Sequence, residues 1–121
     1  ETERDLERAY EALKSAERNF KENDMFTAAN RTFVACENAI YVLLKLKFGS
    51  VSISRIKILT RLRDINPKAR EVYDQAYDLR VQADYGNQAK TLPLTKKNVE
   101  EILNQVKNIV KQADKEIAKL E

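Results

Sequence analysis

The chain reads as all-α: an antiparallel four-helix bundle with one additional short helix. Three observations predict this. Its 121 residues include only two glycines and two prolines, so there are few places for the chain to turn. Apolar residues recur at helical spacing through every long segment, interleaved with charged residues that make up 34% of the chain. No stretch alternates apolar and polar residues with the period of two that a half-buried strand needs. At this length residues 1–121 form a single domain that buries roughly two-thirds of its unfolded surface. There is no internal repeat and no low-complexity tract.

The first helix runs from Glu1 to Lys21, with Leu6, Ala9, Tyr10, Leu13, Ala16 and Phe20 on one side. Asn23-Asp24 breaks it and can cap the next helix. That second helix, Met25 to Lys47, carries two apolar strips. One is Ala29, Phe33, Cys36, Ile40 and Leu43; the other is Ala28, Ala35, Ala39, Val42 and Leu46. Together they cover about 200° of the helical wheel, too wide for a peripheral helix with one neighbour. The helix is either central to the bundle or gives one strip to a partner subunit. Lys45 and Lys47 suit its negative end, and Gly49 supplies the stop.

Ser52 or Ser54 can cap a short helix reaching about Arg63, with Ile56, Leu59 and Leu62 as its apolar contacts. The fourth helix begins after Asn66-Pro67 and ends at Gly86, a residue suited to a left-handed cap. A polar connection with Lys90 and Pro93 follows. Thr95 then caps the last helix, whose Val99, Ile102, Leu103, Val106, Ile109, Val110, Ala113, Ile117 and Leu120 form one narrow stripe.

Absent residue types exclude whole classes of chemistry. With no histidine, serine–histidine and cysteine–histidine nucleophile pairs and histidine-ligated metals are ruled out. The single cysteine, Cys36, lies on an apolar helix face and allows neither an intramolecular disulfide nor a cysteine-rich zinc site. Gly49 and Gly86 are too far apart to build a phosphate-binding loop. No metal and no cofactor are expected. No apolar run approaches the ~20 residues that cross a bilayer, and no signal-peptide pattern opens the sequence, so a soluble cytoplasmic protein is expected.

The fourth helix carries the main functional signal. On a wheel of about 100° per residue, Ala69, Val72, Tyr73, Ala76, Leu79 and Ala83 share one arc, and Arg80 falls near its middle. Tyr73, Tyr77 and Asp84 line the edge beside it. A guanidinium on an apolar arc is costly unless it is paired, stacked or open to a cleft. Asp84 is the nearest acid, but it stands in the weaker order for helical pairing and at the negative end of the helix dipole. Stability alone would place neither charge there. Arg80, Asp84, Tyr85, Tyr77 and Tyr73 are therefore the candidate residues of a ligand or dimer cleft. Two plainer readings stay open: Arg80 and Asp84 pair across a dimer seam and only hold it together, and Tyr73 and Tyr77 are core residues with their hydroxyls at the rim.

A second signal lies just upstream. Arg55, Lys57, Arg61, Arg63, Lys68 and Arg70 share their segment with one acid, Asp64, a local net charge of +5 in a chain whose total is +3. Such a concentration can neutralise phosphates and give salt-dependent binding, or it can be a solvated face beside acidic helices.

In this order the elements resemble the HEPN family of small helical domains, over nearly the whole chain. Asp24-Met25-Phe26-Thr27-Ala28-Ala29 opens a small-and-aromatic second helix that reaches Val42-Leu43-Leu44, the fourth helix is long, and Arg80 to Tyr85 resembles the R-x-x-A-D-Y ending of one prokaryotic subgroup. The resemblance implies a homodimer in which two copies of the fourth-helix motif face a shared cleft. It also implies a link to RNA or nucleotides, often beside a small nucleotidyltransferase partner in a toxin–antitoxin pair. Active HEPN nucleases carry an arginine followed four to six residues later by a histidine; here Arg80 matches the arginine, but Tyr85 stands five residues on. A phenol with a pKa of about 10 is a poor general base at neutral pH. The resemblance therefore favours a binding module over a metal-independent ribonuclease, in which Arg80 would stabilise a pentavalent phosphate while another group moved the proton. It also makes Tyr85 an acceptor for modification by the partner enzyme. A purely structural helical partner, using the second strip of the Met25–Lys47 helix, is the remaining alternative.

Overall fold

A computed structural model of the protein describes residues 1–52 and 54–120. Among the described residues five helices follow one another: α1 (Thr2–Lys21), α2 (Met25–Phe48), α3 (Arg55–Ile65), α4 (Pro67–Tyr85) and α5 (Lys96–Ala118). Among the described residues there is no strand. The four long helices form the bundle and α3 is the short addition, as the periodicity predicts.

Local chemistry sets the boundaries. The Asp24 carboxylate accepts from the Thr27 amide at 3.1 Å and starts α2. Asn66 caps α4 by accepting from the Ala69 amide at 3.1 Å, with Pro67 in the first turn where its missing N–H costs nothing. Thr95 Oγ1 accepts from the Asn98 amide at 3.1 Å and starts α5. Gly49 (φ 81°) and Gly86 (φ 67°) close α2 and α4 in the left-handed conformation.

α2 is the central helix. It packs against α1, α4 and α5, and both of its apolar strips are used. Ala28, Ala35, Ala39 and Val42 of the second strip are completely buried within the chain. Most of that strip is therefore not free for a partner subunit. The small residues of both strips allow neighbouring helices to approach closely around Phe33, Ile40 and Leu44. Cys36 is fully buried, and burial pushes its thiol pKa well up, so it acts as a small apolar residue.

Two expected contacts are absent. Ile56 is 76% exposed, and Ile58 takes its place beside Leu62. α3 packs against α4 along the stripe Ile58, Leu62 and Ile65, so a side chain two positions before Ile58 points away from it. Leu120 lies beyond the end of α5 and is 73% exposed.

Buried polar groups pin the layers together. Asp5 of α1 is 5% exposed and pairs with Lys45 of α2 at 2.6 Å. The Tyr10 hydroxyl donates to Asp114 of α5 at 2.6 Å. Asp78 of α4, also 5% exposed, accepts from the main-chain amides of Lys90, Thr91 and Leu92 at 2.9–3.2 Å and from the Thr91 hydroxyl. Gln82 adds a bond to the Leu92 carbonyl and one from the Leu94 amide. The α4–α5 connection is thereby strapped along α4.

Candidate functional site

The polar edge of α4 meets a matching stripe on α2. Asn30, Phe33, Glu37 and Tyr41 recur at intervals of three and four, so they line one face of a helix that is otherwise apolar on two sides. The helices run antiparallel, so the start of this stripe meets the end of α4. Asn30 Nδ2 donates to Asp84 Oδ2 at 2.9 Å, and the Phe33 ring lies 5.4 Å from Tyr73 and 5.6 Å from Tyr77.

Arg80 sits on this seam. Its Nε donates to Asp84 Oδ2 at 3.2 Å, a pairing within one helix. The order that is weaker on an isolated helix is reinforced by Asn30, which brings a second donor to the same oxygen. The guanidinium carbon lies 5.5 Å from the Phe33 ring and 5.9 Å from the Tyr85 ring. The side chain is 30% exposed. The pairing with Asp84, the Phe33 ring beside the guanidinium and partial exposure together lower the cost of a cation on an apolar arc. Among the described residues, neither Nη of Arg80 has a hydrogen-bond acceptor.

The other predicted cleft residues separate by depth. Tyr77 is half-buried and stacks under Arg55, whose guanidinium carbon is 3.9 Å from the ring centre. Tyr85 is 67% exposed. Tyr73 is 2% exposed, so it lies beneath the site as a support for Phe33 and cannot touch a ligand from its present position. Burial raises its phenol pKa well above the ordinary value.

The basic segment is brought together only in part. Arg55 joins the site: it pairs with Asp74 and, with Arg80, brackets the Phe33–Tyr77 pair. Arg61 lies 5.0 Å from the Phe48 ring, Arg63 is 3.7 Å from Asp64, and Lys68 is 3.8 Å from Glu71. Arg63 and Arg70 line an open hollow of about 320 Å³ with Asp74 and Thr91, and Lys57 is exposed. The run therefore spreads along α3 and the first turns of α4, with several charges answered locally.

Four residues on α2 escaped the sequence reading: Asn30, Arg31, Phe33 as a ring beneath a cation, and Glu37. Burial pushes the Glu37 carboxyl up, while a hydrogen bond with Tyr41 and the charge of Arg80 pull it partly back. Tyr41 is pushed up to about 12 by burial and by the Glu37 charge. The spacing that places this stripe was visible, but it is hidden among the apolar residues that give the same helix its core role. Among the described residues no group of three or more acids and cysteines is placed to hold a metal, and no helix is long and apolar enough to cross a membrane.

The fold and site define a class: an all-helical bundle with an arginine-centred polar seam where the end of its fourth helix meets the start of its second. The chain belongs to the HEPN domain family, whose model matches residues 2–116. No curated protein matches the chain.

Proposed function

We propose that the protein is a dimeric HEPN module that binds RNA or a nucleotide, with Arg80 as its central phosphate contact. Asp84 orients the guanidinium, and Tyr77 and Tyr85 border it. One observation carries this reading: Arg80 is held through Nε and lies near two rings, while among the described residues neither terminal nitrogen has an acceptor and the side chain is part-exposed. A guanidinium so arranged presents a preformed fork to a phosphate. Arg55, Lys57, Arg61, Arg63, Lys68 and Arg70 supply outer, less specific contacts. A second copy placing its own Arg80 in the same cleft would double the charge, and a small nucleotidyltransferase is the partner class, with Tyr85 accessible to it.

The test is anisotropy of a labelled oligoribonucleotide, with molecular mass measured by light scattering. Arg80→Ala should weaken binding about tenfold or more, the scale of one charge-assisted contact. Lys111→Ala, on the outer face of α5, should leave binding unchanged. Equal affinity in the wild type and Arg80→Ala would reject the reading.

The Glu37 carboxyl favours a second reading. A half-buried acid in the field of Arg80, with its proton held more tightly than usual, could move a proton in metal-independent RNA cleavage. Cleavage lost in both Arg80→Ala and Glu37→Gln but kept in Lys111→Ala would support it. Equal cleavage in the wild type and Arg80→Ala would end it as contamination.

A further inference from the structure

Arg31 lies beside this site and makes an unusual pair of bonds. Its Nε and Nη2 both donate to the side-chain oxygen of Asn30, at 3.0 and 2.8 Å. The amide nitrogen of Asn30 donates in turn to Asp84 Oδ2, the oxygen that also receives Arg80 Nε. A continuous chain of hydrogen bonds therefore runs from Arg31 through Asn30 and Asp84 to Arg80, across the α2–α4 seam.

Two features distinguish this chain from an ordinary surface ion pair. The Asn30 amide has one workable orientation, because turning it over would set its NH2 against a guanidinium and its oxygen against a carboxylate. The same amide thus fixes Arg31 and Asp84 together. The charges also do not balance. Asp84 is one carboxylate between two guanidiniums, and among the described residues no other carboxylate lies within 4 Å of either arginine. The hydrogen-bonded residues themselves sum to a positive charge, with Glu37 the further acid near Arg80, and among the described residues Arg31 Nη1 and both Arg80 Nη atoms lack acceptors.

We propose that Arg31 is a second anion-binding residue of the Arg80 site, so that a phosphodiester is gripped by two guanidiniums, with Asn30 as the positioning residue between them. This rests on the reading of Arg80 as a phosphate contact. Two forks set by one rigid amide offer more donors to one phosphate group than Arg80 can alone.

The experiment measures binding of a labelled single-stranded oligoribonucleotide over a series of salt concentrations. It compares wild type, Arg31→Ala, Arg31→Lys, Asn30→Ala, Arg80→Ala, the Arg31→Ala/Arg80→Ala double variant and Lys111→Ala. Arg31→Ala should weaken binding about tenfold and lower the salt slope by about 0.7, the value for one phosphate contact on a single strand. Arg31→Lys should keep the slope but lose part of the affinity, because it keeps the charge without the fork. Asn30→Ala should lose affinity without losing slope, and the double variant should lose less than the product of the two singles. Thermal melting verifies that each variant is folded, and Arg31→Lys carries the test if the alanine variant is not. If Arg31→Ala binds like Lys111→Ala while Arg80→Ala is weakened, the proposal is overturned and the reading of Arg80 survives. If neither arginine matters, or the wild type binds no RNA, both fall. If Arg31→Ala dissociates a dimer and leaves affinity per protomer intact, Arg31 is an interface residue and the proposal is wrong.

Discussion

Replacing Asp78 with asparagine should destabilise the protein more than any other isosteric change. The carboxylate is 5% exposed and accepts from the amides of Lys90, Thr91 and Leu92 and from the Thr91 hydroxyl. Burial alone would push this carboxyl up, but the amides of Thr91, Leu92 and Lys90 together outweigh it and hold it below the usual carboxylate range. Asparagine keeps one acceptor oxygen, loses the charge and points an NH2 group at donors. Hydrogen bonds to a charged group contribute about 1.5–3 kcal/mol each, so losing one fully and weakening the rest gives about 3 kcal/mol. For a domain of this size that lowers the melting temperature by about 12 °C. A depressed carboxyl contributes stability that is fully present above its unfolded pKa of about 3.9 and is lost as pH falls through its lower folded value. The gap between wild type and Asp78→Asn should therefore be complete at pH 7 and close in acid below pH 4. Melts followed by circular dichroism measure the gap, and amide exchange at Lys90, Thr91 and Leu92 shows whether the strap itself opens. A variant melting within about 3 °C of wild type at pH 7, or a gap unchanged in strong acid, would refute the account.

Three further outcomes are expected. Lys45→Ala should cost about 3 kcal/mol in denaturant unfolding, because it strands the buried Asp5 carboxylate, whereas Lys45→Ala with Asp5→Leu should recover most of the loss. Asn66→Ala should cost about 1 kcal/mol by removing the α4 cap, with Asn66→Asp close to wild type. Stability should fall steeply between pH 10 and 12. Tyr10, through its bond to Asp114, and Tyr41, through burial, both have phenols raised to about 12, so the unfolded chain releases those protons first. In Tyr10→Phe the dependence of unfolding free energy on pH in that window should be shallower by about one proton.

Helix periodicity, caps and stops were legible because each depends on a few adjacent residues. Asp24, Asn66, Thr95, Gly49 and Gly86 do what their types suggest, and α2 is central because it carries two apolar strips. Arg80 beside Asp84 and Tyr77 was legible for the same reason, since all three lie on one helix. What escaped depends on distance across the fold. Nothing local marks Asp78 as the acceptor for a strap twelve or more residues away. Asn30 and Arg31 gain meaning only when α2 lies antiparallel to α4. A short helix allows several apolar faces, so its sequence alone offers Ile56 as a core residue, and only its docking against α4 selects Ile58.

The strap also fixes which side of α4 stays open. Asp78 and Arg80 are two positions apart on a helix, about 200° around it, so anchoring the connection at Asp78 draws it toward the far side. Residues 86–89 are exposed and trail from α4 before the first strap bond at Lys90. A fluorophore attached at Gln88 would therefore sit on this exposed stretch, close enough in sequence to Tyr85 to report on a visitor at the arginines.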